Sequence, residues 1–534
     1  MMSPLRIFVA ASIGALTAIV LLALRWPHAL WALVVVAPLV ALGTWDALQT
    51  RHAVLRNFPL IGHFRYLLEL IRPEIQQYFI ESDTDGRPFS REIRSLVYQR
   101  SKGVIDTRPF GTLHDLYATH EEMIAHSIAA KPTPKEAPRV QIGADRCKQA
   151  YSASVFNVSA MSYGSLSGSA IRALNGGAKL GGFYHNTGEG GVSPHHLAEG
   201  GDLVWQVGTG YFGCRTKDGE FDPDKFAERA VHPSIKMIEL KLSQGAKPGH
   251  GGILPGRKVT PEIAAIRGVE LGKDVLSPPY HTAFRNPLEL VRLVARMREL
   301  AGGKPIGIKL CVGLPREFMG ICKAALESGE IFDFVTIDGA EGGTGAAPLE
   351  FSNFVGAPLT EGLLLAHNIL TGTGLRDQVR VIASGKVATG FDLIRRIAIG
   401  ADLCNSARTM MFALGCIQAL RCNTNHCPVG VATQDPDLER GLDVSDKRQR
   451  VYRYHRATVH AALEILGAAG LSSFEELKPE HVFRRLSPTR IASYAEVFDF
   501  LRDGDLLRGK LGEREDEYDA LLAREWSLAR ADRF

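Results

Sequence analysis

The chain has 534 residues, a formal charge of +4 and eight cysteines. That length admits several domains or one barrel with insertions. So small a charge, with no basic stripe interleaved with aromatics, gives no case for a nucleic-acid partner. Cysteines that cluster only once argue against a secreted disulfide framework and for metal chemistry in a reducing compartment.

Residues 7–24 form an uncharged apolar run close to the length of a membrane-spanning helix. A second run, 29–45, follows the polar break Arg25-Trp26-Pro27-His28, and Trp26, Trp31 and Trp45 take positions suited to a lipid interface. Residues 1–50 are therefore read as a membrane anchor, a transmembrane helical hairpin that returns the chain to its starting side. Arg51 and Arg56 then favour a cytoplasmic catalytic domain at the cell inner membrane, with membrane lipid as a partner. One spanning helix with a partly inserted second segment, a cleaved signal peptide and a buried soluble hairpin are the alternatives. Residues 51–136 mix polar and apolar side chains and predict a helical linking region with an amphipathic collar.

From about Pro138 the pattern changes to short apolar runs that deliver glycine or polar residues at their ends. VFNVSAMSYG, IGIKLCVG, FVTIDGAEGG and VRVIASGKVATG are the examples. They predict successive βα units and an α/β fold, a TIM (β/α)8 barrel over 137–435. An open doubly wound sheet is the alternative, although no GxGxxG motif follows an early strand. Gly385 lets backbone approach a phosphate, and Thr389-Gly390 precedes a helix whose amide end favours the same anion. The run ending at Asn405 to Thr409 adds backbone donors and the Arg408 cation. Glu189 in NTGEGG suits an amino or cationic group, and Lys241, Gln244 and Lys247 in KLSQGAKPGHGG suit a dicarboxylate. Solvated surface charge is the competing reading of each lysine. Lys309 lies inside an apolar strand pattern, where a buried cation would stabilise negative charge on a reduced flavin.

The loop CIQALRCNTNHCPVG places Cys416, Cys422 and Cys427 in a C-x5-C-x4-C spacing. Soft sulfur ligands this close suit a small iron-sulfur cluster. Zinc held with His426, or three unliganded thiols, are the rivals. Residues 436–534 are rich in Arg, Glu and Leu and predict a helical C-terminal extension.

SAMSYGSLSGSA, NTGEGGVS, QVGTGYFG, KLSQGAKPGHGGILPG, DGAEGGTGAAP, ASGKVATG and the cysteine loop, in this order, resemble the FMN-binding synthase domain of glutamate synthase. The resemblance covers roughly residues 137–435. It implies a TIM barrel with FMN and a 3Fe-4S cluster, reducing 2-iminoglutarate from 2-oxoglutarate and ammonia to L-glutamate. It implies Cys416, Cys422 and Cys427 as cluster ligands, and Ala160, Met161 and Ser162 at the flavin-facing end of the first strand. Gln206 and Lys309 would flank the flavin, with Ser384, Gly385, Lys386, Ala407 and Arg408 on the phosphate side and Gly343 in a closing loop. Glu189, Lys241, Gln244 and Lys247 would meet the substrate.

The departures from the family pattern are a missing glutaminase domain, which implies a separate ammonia-supplying enzyme, and a helical region in place of the β-helical C-terminal domain. Trp205 also stands where the family commonly has a lysine, His250 where it has a glutamate, and Asp338-Gly339-Ala340-Glu341 replaces its SGHDGG form. The lost lysine is expected to alter the substrate pocket. With no dinucleotide-binding domain in view, a ferredoxin-like protein or a quinone is the expected electron partner. Alternative functions are an FMN oxidoreductase acting on another amino acid, imine or 2-oxo acid, and an electron-relay or scaffold subunit.

Overall fold

Short apolar runs that alternate between two buried faces form eight parallel strands. They are β1 (Phe156–Val158), β2 (His185–Asn186), β3 (Leu203–Val207), β4 (Ile235–Lys241), β5 (Ile306–Leu310), β6 (Phe334–Asp338), β7 (Arg380–Ser384) and β8 (Leu403–Ser406). In the computed structural model, which describes residues 3–509 and 517–534, they close into a barrel in sequence order, β8 pairing with β1. Closure in this order, with a helical crossover after most strands, is the TIM barrel.

The floor of the barrel is apolar. Val204, Met237, Phe334, Ile382 and Leu403 pack there with Tyr184, and the antiparallel hairpin Arg139–Ile142 and Tyr151–Ser154 adds Ile142, Tyr151 and Ala153 from below. Gly307 of β5 leaves the space that the Phe334 ring occupies, because a Cβ there would collide with it. The floor thus closes one end and leaves the C-terminal end of the strands for polar chemistry.

The outer ring includes helices Gly168–Gly181, Pro287–Leu300, Pro315–Ser328, Leu359–Gly372 and Gly390–Ala398. The 25-residue helix Val444–Ala468 packs on both Gly168–Gly181 and Gly390–Ala398 and completes that ring where the barrel closes. A Cβ at Gly390 would lie 2.6 Å from Ala462 N, so this glycine is required by helix packing. The C-terminal region is helical as expected, with one addition. Val482–Ser487 and Arg490–Ser493 form an antiparallel sheet with Glu122–Ile124 from the linking region. Glu122 bridges Arg484 at 2.7 Å and Arg395 at 2.9 Å, which ties this sheet to helix Gly390–Ala398.

The chain divides into two compact units, Met1–Arg91 and Glu92–Phe534. In the first, two helices, Pro4–Ala23 and Pro27–Leu48, are long and apolar enough to cross a membrane, and very little of either is buried. Phe8 packs directly on Gly43, so a side chain at 43 would push the two helices apart. Asp46 is buried, and its carboxylate meets His63 Nε2 at 2.9 Å and accepts from Leu60 N at 3.0 Å. The helix Gly62–Ile75 that carries His63 exposes Phe64, Leu67, Leu68 and Ile71.

Replacing Phe334 by Ala should cost about 3–5 kcal/mol, because the floor keeps the resulting cavity. The loss is read as a fall in the urea midpoint of the catalytic unit, and an unchanged midpoint would show that the floor is not tightly packed.

Candidate active site

Strand alternation builds the site in layers. In β4 the period that sends Met237 into the floor sends Glu239 into the middle of the barrel and Lys241 to its rim. Glu239 is 1% exposed. Its Oε2 accepts from Asn186 Nδ2 at 2.9 Å and Gln206 Nε2 at 2.5 Å, and its Oε1 from Thr336 Oγ1 at 2.6 Å. A buried carboxylate needs such donors to remain charged. Lys309 of β5 supplies the opposite charge. Burial pulls its ammonium down, but Asp338, at 3.4 Å, and Glu239 outweigh that and hold its pKa above the ordinary value.

Asp338, at the end of β6, gathers neighbouring elements. Ser384 Oγ donates to its Oδ1 at 2.7 Å, and Gly245 N donates to its Oδ2 at 2.8 Å. Gly245 lies against Gly339 O, where any Cβ would collide, so the loop after β4 meets the β6 loop through backbone. Ser384 Oγ is also 3.3 Å from Ser159 Oγ, at the end of β1.

Beside this layer lies a cleft lined by Glu189, Thr209, Lys241, His250, Gly251 and Pro278. Lys241 Nζ is 2.9 Å from Glu189 Oε2 and donates to Gln244 Oε1 at 2.7 Å. Burial alone would raise the Glu189 pKa, but Lys241, Lys247 and Arg267 hold it below the usual carboxylate value. Burial lowers Lys247 to about 8, with Glu189 opposing and Lys241 adding to the shift. Gln244 Nε2 is buried and has no hydrogen-bond partner among the described residues, since the opposite end of its amide is taken by Lys241. His281 holds the Lys241 backbone: its Nε2 donates to Lys241 O at 2.8 Å, and its Nδ1 accepts from Tyr211 OH at 3.0 Å. Burial pushes His281 down to about 4, which keeps the neutral ring these two roles require.

The other expected cofactor residues surround the barrel mouth. Ala160, Met161 and Ser162 follow β1, and a Cβ at Gly188 would lie 2.7 Å from Ser162 N, so the loop after β2 rests directly on that backbone. Arg408, which follows Ala407 after β8, donates through Nη2 to Glu341 O at 2.7 Å and packs on Gly343. Burial lowers Arg408 to about 10, with Asp338 and Glu341 opposing. Gly385 and Lys386 form the turn after β7, and Lys386 adopts a left-handed φ of 49°.

The first turn of helix Gly390–Ala398 caps itself: Asp392 Oδ2 accepts from Ala388 N and Thr389 N, each at 2.9 Å, and Thr389 Oγ1 accepts from Asp392 N at 3.0 Å. Those three amides are therefore engaged within the chain. Trp205 does not enter the substrate pocket. It stacks on Phe226 of the outer helix Pro223–Ala230 at 5.2 Å, while Gln206 points inward. His250 does line the cleft, edge-on to Phe351 at 5.1 Å. Cys416, Cys422 and Cys427 lie near enough to act on one another electrostatically, although among the described residues no group of three or more His, Cys, Asp or Glu side chains is placed to hold a metal ion. Cys416 is anchored through its carbonyl by Tyr98 OH at 2.6 Å, and burial pushes its thiol up to about 12.

Glu239, Asp338, Arg267 and His281 were not anticipated as site residues. The alternation Met237, Glu239, Lys241 was the available signal for Glu239. Asp338 stands in the strand-end motif FVTIDGAEGG, and no local pattern marks Arg267 or His281.

A closed parallel barrel, apolar at its floor and lined at the C-terminal mouth by paired charges and glycine loops, defines a TIM-barrel enzyme. The conserved region in glutamate synthase matches residues 110–472, and the chain belongs to the glutamate synthase family, as an oxidoreductase. It is 39% identical over 481 residues to the glutamate synthase large subunit-like protein YerD of Bacillus subtilis (strain 168), covering 82% of this chain and 91% of that one. It is 36% identical to the archaeal glutamate synthase (NADPH) of Methanocaldococcus jannaschii, over 60% of this chain and 59% of that one. The match to the glutamate synthase (NADPH) large chain of Bacillus subtilis (strain 168), 33% identical, spans 60% of this chain and 20% of that protein's length.

Because Trp205 faces the outer helix, Trp205→Phe should lower the thermal midpoint and leave substrate affinity within about twofold. A large change in KM with unchanged stability would place Trp205 in the pocket after all.

Proposed function

We propose that this protein binds FMN at the C-terminal mouth of the barrel and reduces 2-iminoglutarate, formed from 2-oxoglutarate and ammonia, to L-glutamate. The observation that carries the reading is the buried group at the cleft: Lys241 and Lys247 both act on one carboxylate, Glu189, and Gln244 Nε2 has no hydrogen-bond partner among the described residues. That surplus of buried donors suits a substrate with carboxylate groups.

The residues at the mouth suit a flavin. Lys309 is a buried cation fixed by Asp338 and Glu239, and Gly188 and Gly343 lie where a side chain would crowd the loops. Ser384, Gly385, Lys386 and Arg408 offer donors and charge for the phosphate. Bound FMN would supply two electrons as a hydride to the imine carbon. Overall, 2-oxoglutarate, ammonium, two electrons and two protons give glutamate and water.

The chain's own part is to bind and orient. Lys241, Lys247 and Gln244 hold the substrate carboxylates. Glu189, kept ionised by Lys241, accepts from the N–H of the protonated imine and turns its carbon toward the ring. Lys309 balances the charge that accumulates on the reduced cofactor. A ferredoxin-like protein or a quinone is the proposed electron source and a separate enzyme the proposed supplier of ammonia, with the apolar hairpin in the inner membrane and the catalytic unit in the cytoplasm. The same chemistry on another 2-oxo acid or amino acid is the second reading. It is favoured by His250 in the cleft and by the Asp338 to Glu341 loop, where this chain departs from the family pattern.

The test is to photoreduce the reconstituted protein and mix it with a panel of 2-oxo acids, with and without ammonia. Reoxidation by 2-oxoglutarate plus ammonia, with L-glutamate formed, is expected; reoxidation by a different pair only would transfer the assignment to the second reading. Lys247 is protonated below about 8 and neutral above it, so substrate affinity should fall as the pH rises through about 8. Lys247→Met should weaken affinity about tenfold or more at neutral pH and remove that pH dependence.

A 3Fe-4S cluster on Cys416, Cys422 and Cys427 is proposed from thiol spacing and family membership, and no step above runs through it. Reconstituted protein should then hold about three irons per chain, and Cys422→Ala should lose them while keeping the flavin spectrum. Zinc in place of iron, or iron unchanged in the variant, would remove the cluster from the proposal.

A further inference from the structure

The catalytic unit carries a basic groove that the chemistry above does not use. It is lined by Arg100 and Lys102 of helix Arg91–Lys102, by Lys135, and by Arg453, Arg456 and His460 of helix Val444–Ala468, and no Asp or Glu lines it among the described residues. Arg100 is held by Asp106 at 2.9 Å and Thr458 at 3.3 Å, and His460 meets Glu464 at 3.4 Å. Lys102, Lys135 and Arg453 have no ion-pair partner among the described residues. Like charges gathered this closely repel one another unless an anion sits among them.

The loop that leaves the groove has inverted polarity. Most of its charged side chains turn back onto helix Arg91–Lys102: Asp106 pairs with Arg100, Arg108 reaches Glu92 at 3.2 Å, and His114 reaches Glu92 at 2.7 Å, while Asp115 is exposed and accepts from Tyr117 N. Its apolar side chains face out, with Ile105 79% and Tyr117 71% exposed, and Val104, Phe110, Leu113 and Leu116 exposed beside them. A soluble surface does the opposite. Cations next to outward aliphatic and aromatic side chains match a bilayer surface, where the cations meet headgroups and the apolar side chains enter the acyl boundary.

We propose that this groove and the loop 104–117 form a membrane contact on the catalytic unit itself, with anionic lipid headgroups in the groove and the loop's side chains in the interface. The contact is independent of whether the N-terminal helices cross the bilayer. The apolar rim is what favours lipid over a free phosphate compound, which the groove alone would also attract.

The test uses the full chain with vesicles of phosphatidylcholine alone or with about 30% phosphatidylglycerol, followed by amide hydrogen exchange. Exchange over 103–117 should slow about tenfold or more on the anionic vesicles only, and the effect should decline at high salt. Arg453→Glu with Arg456→Glu should abolish this protection while leaving the thermal midpoint and protection of the N-terminal helices in place. Protection of those helices on neutral vesicles reports on the anchor separately. Equal exchange over 103–117 on both vesicle types overturns the proposal. So does protection that arises without lipid and grows with protein concentration, which would assign the face to self-association, or protection produced equally by soluble polyphosphate.

Discussion

The buried interior of the barrel places one constraint on everything above it: a charge carried there must be met by a partner from a neighbouring strand. Glu239 satisfies it with donors from β2, β3 and β6, and Lys309 of β5 satisfies it with Asp338 and Glu239. Leaving one member of such a buried set without its partners costs about 3–5 kcal/mol. The network therefore ties strand register to site geometry. A slip of one residue in β4 would exchange Glu239 for an apolar neighbour and leave three donors unmet.

This middle layer supports the rim. Asp338 anchors Lys309, Ser384 and the Gly245 amide, so the loop after β4 and the ends of β5, β6 and β7 share one carboxylate. The cleft beside it is deliberately unbalanced by comparison. Lys241, Lys247 and Arg267 face the single carboxylate of Glu189, and burial has already lowered Lys247 to about 8. A carboxylate-bearing substrate would complete that balance, which is the physical basis for the proposed chemistry.

The ring of helices serves the same arrangement from outside. Val444–Ala468 closes the barrel seam and lends Arg453, Arg456 and His460 to the basic groove. One element thus contributes its buried face to barrel stability and its exposed face to the proposed lipid contact. The unit Met1–Arg91 carries its own polar lock, Asp46 with His63, at the end of an otherwise apolar helix.

Whatever depends on neighbours in the chain was legible from residue order. The eight-strand barrel followed from short apolar runs ending in glycine, the two apolar helices from uninterrupted hydropathy, and Lys309 from a charge set inside an apolar strand. Lys241 ends β4 and Gln244 and Lys247 follow within six residues, so their association needed no knowledge of the fold. Only the tertiary structure decided which face of a strand meets the interior and which distant side chains meet there. It turned Trp205 onto Phe226, gave Gly390 to the helix at Ala462, engaged the amides before that helix with Asp392, and paired Glu122–Ile124 with a strand far along the chain. The reason is the same throughout: periodicity and turn chemistry act over a few residues, whereas burial and charge pairing are settled between segments that only folding brings together.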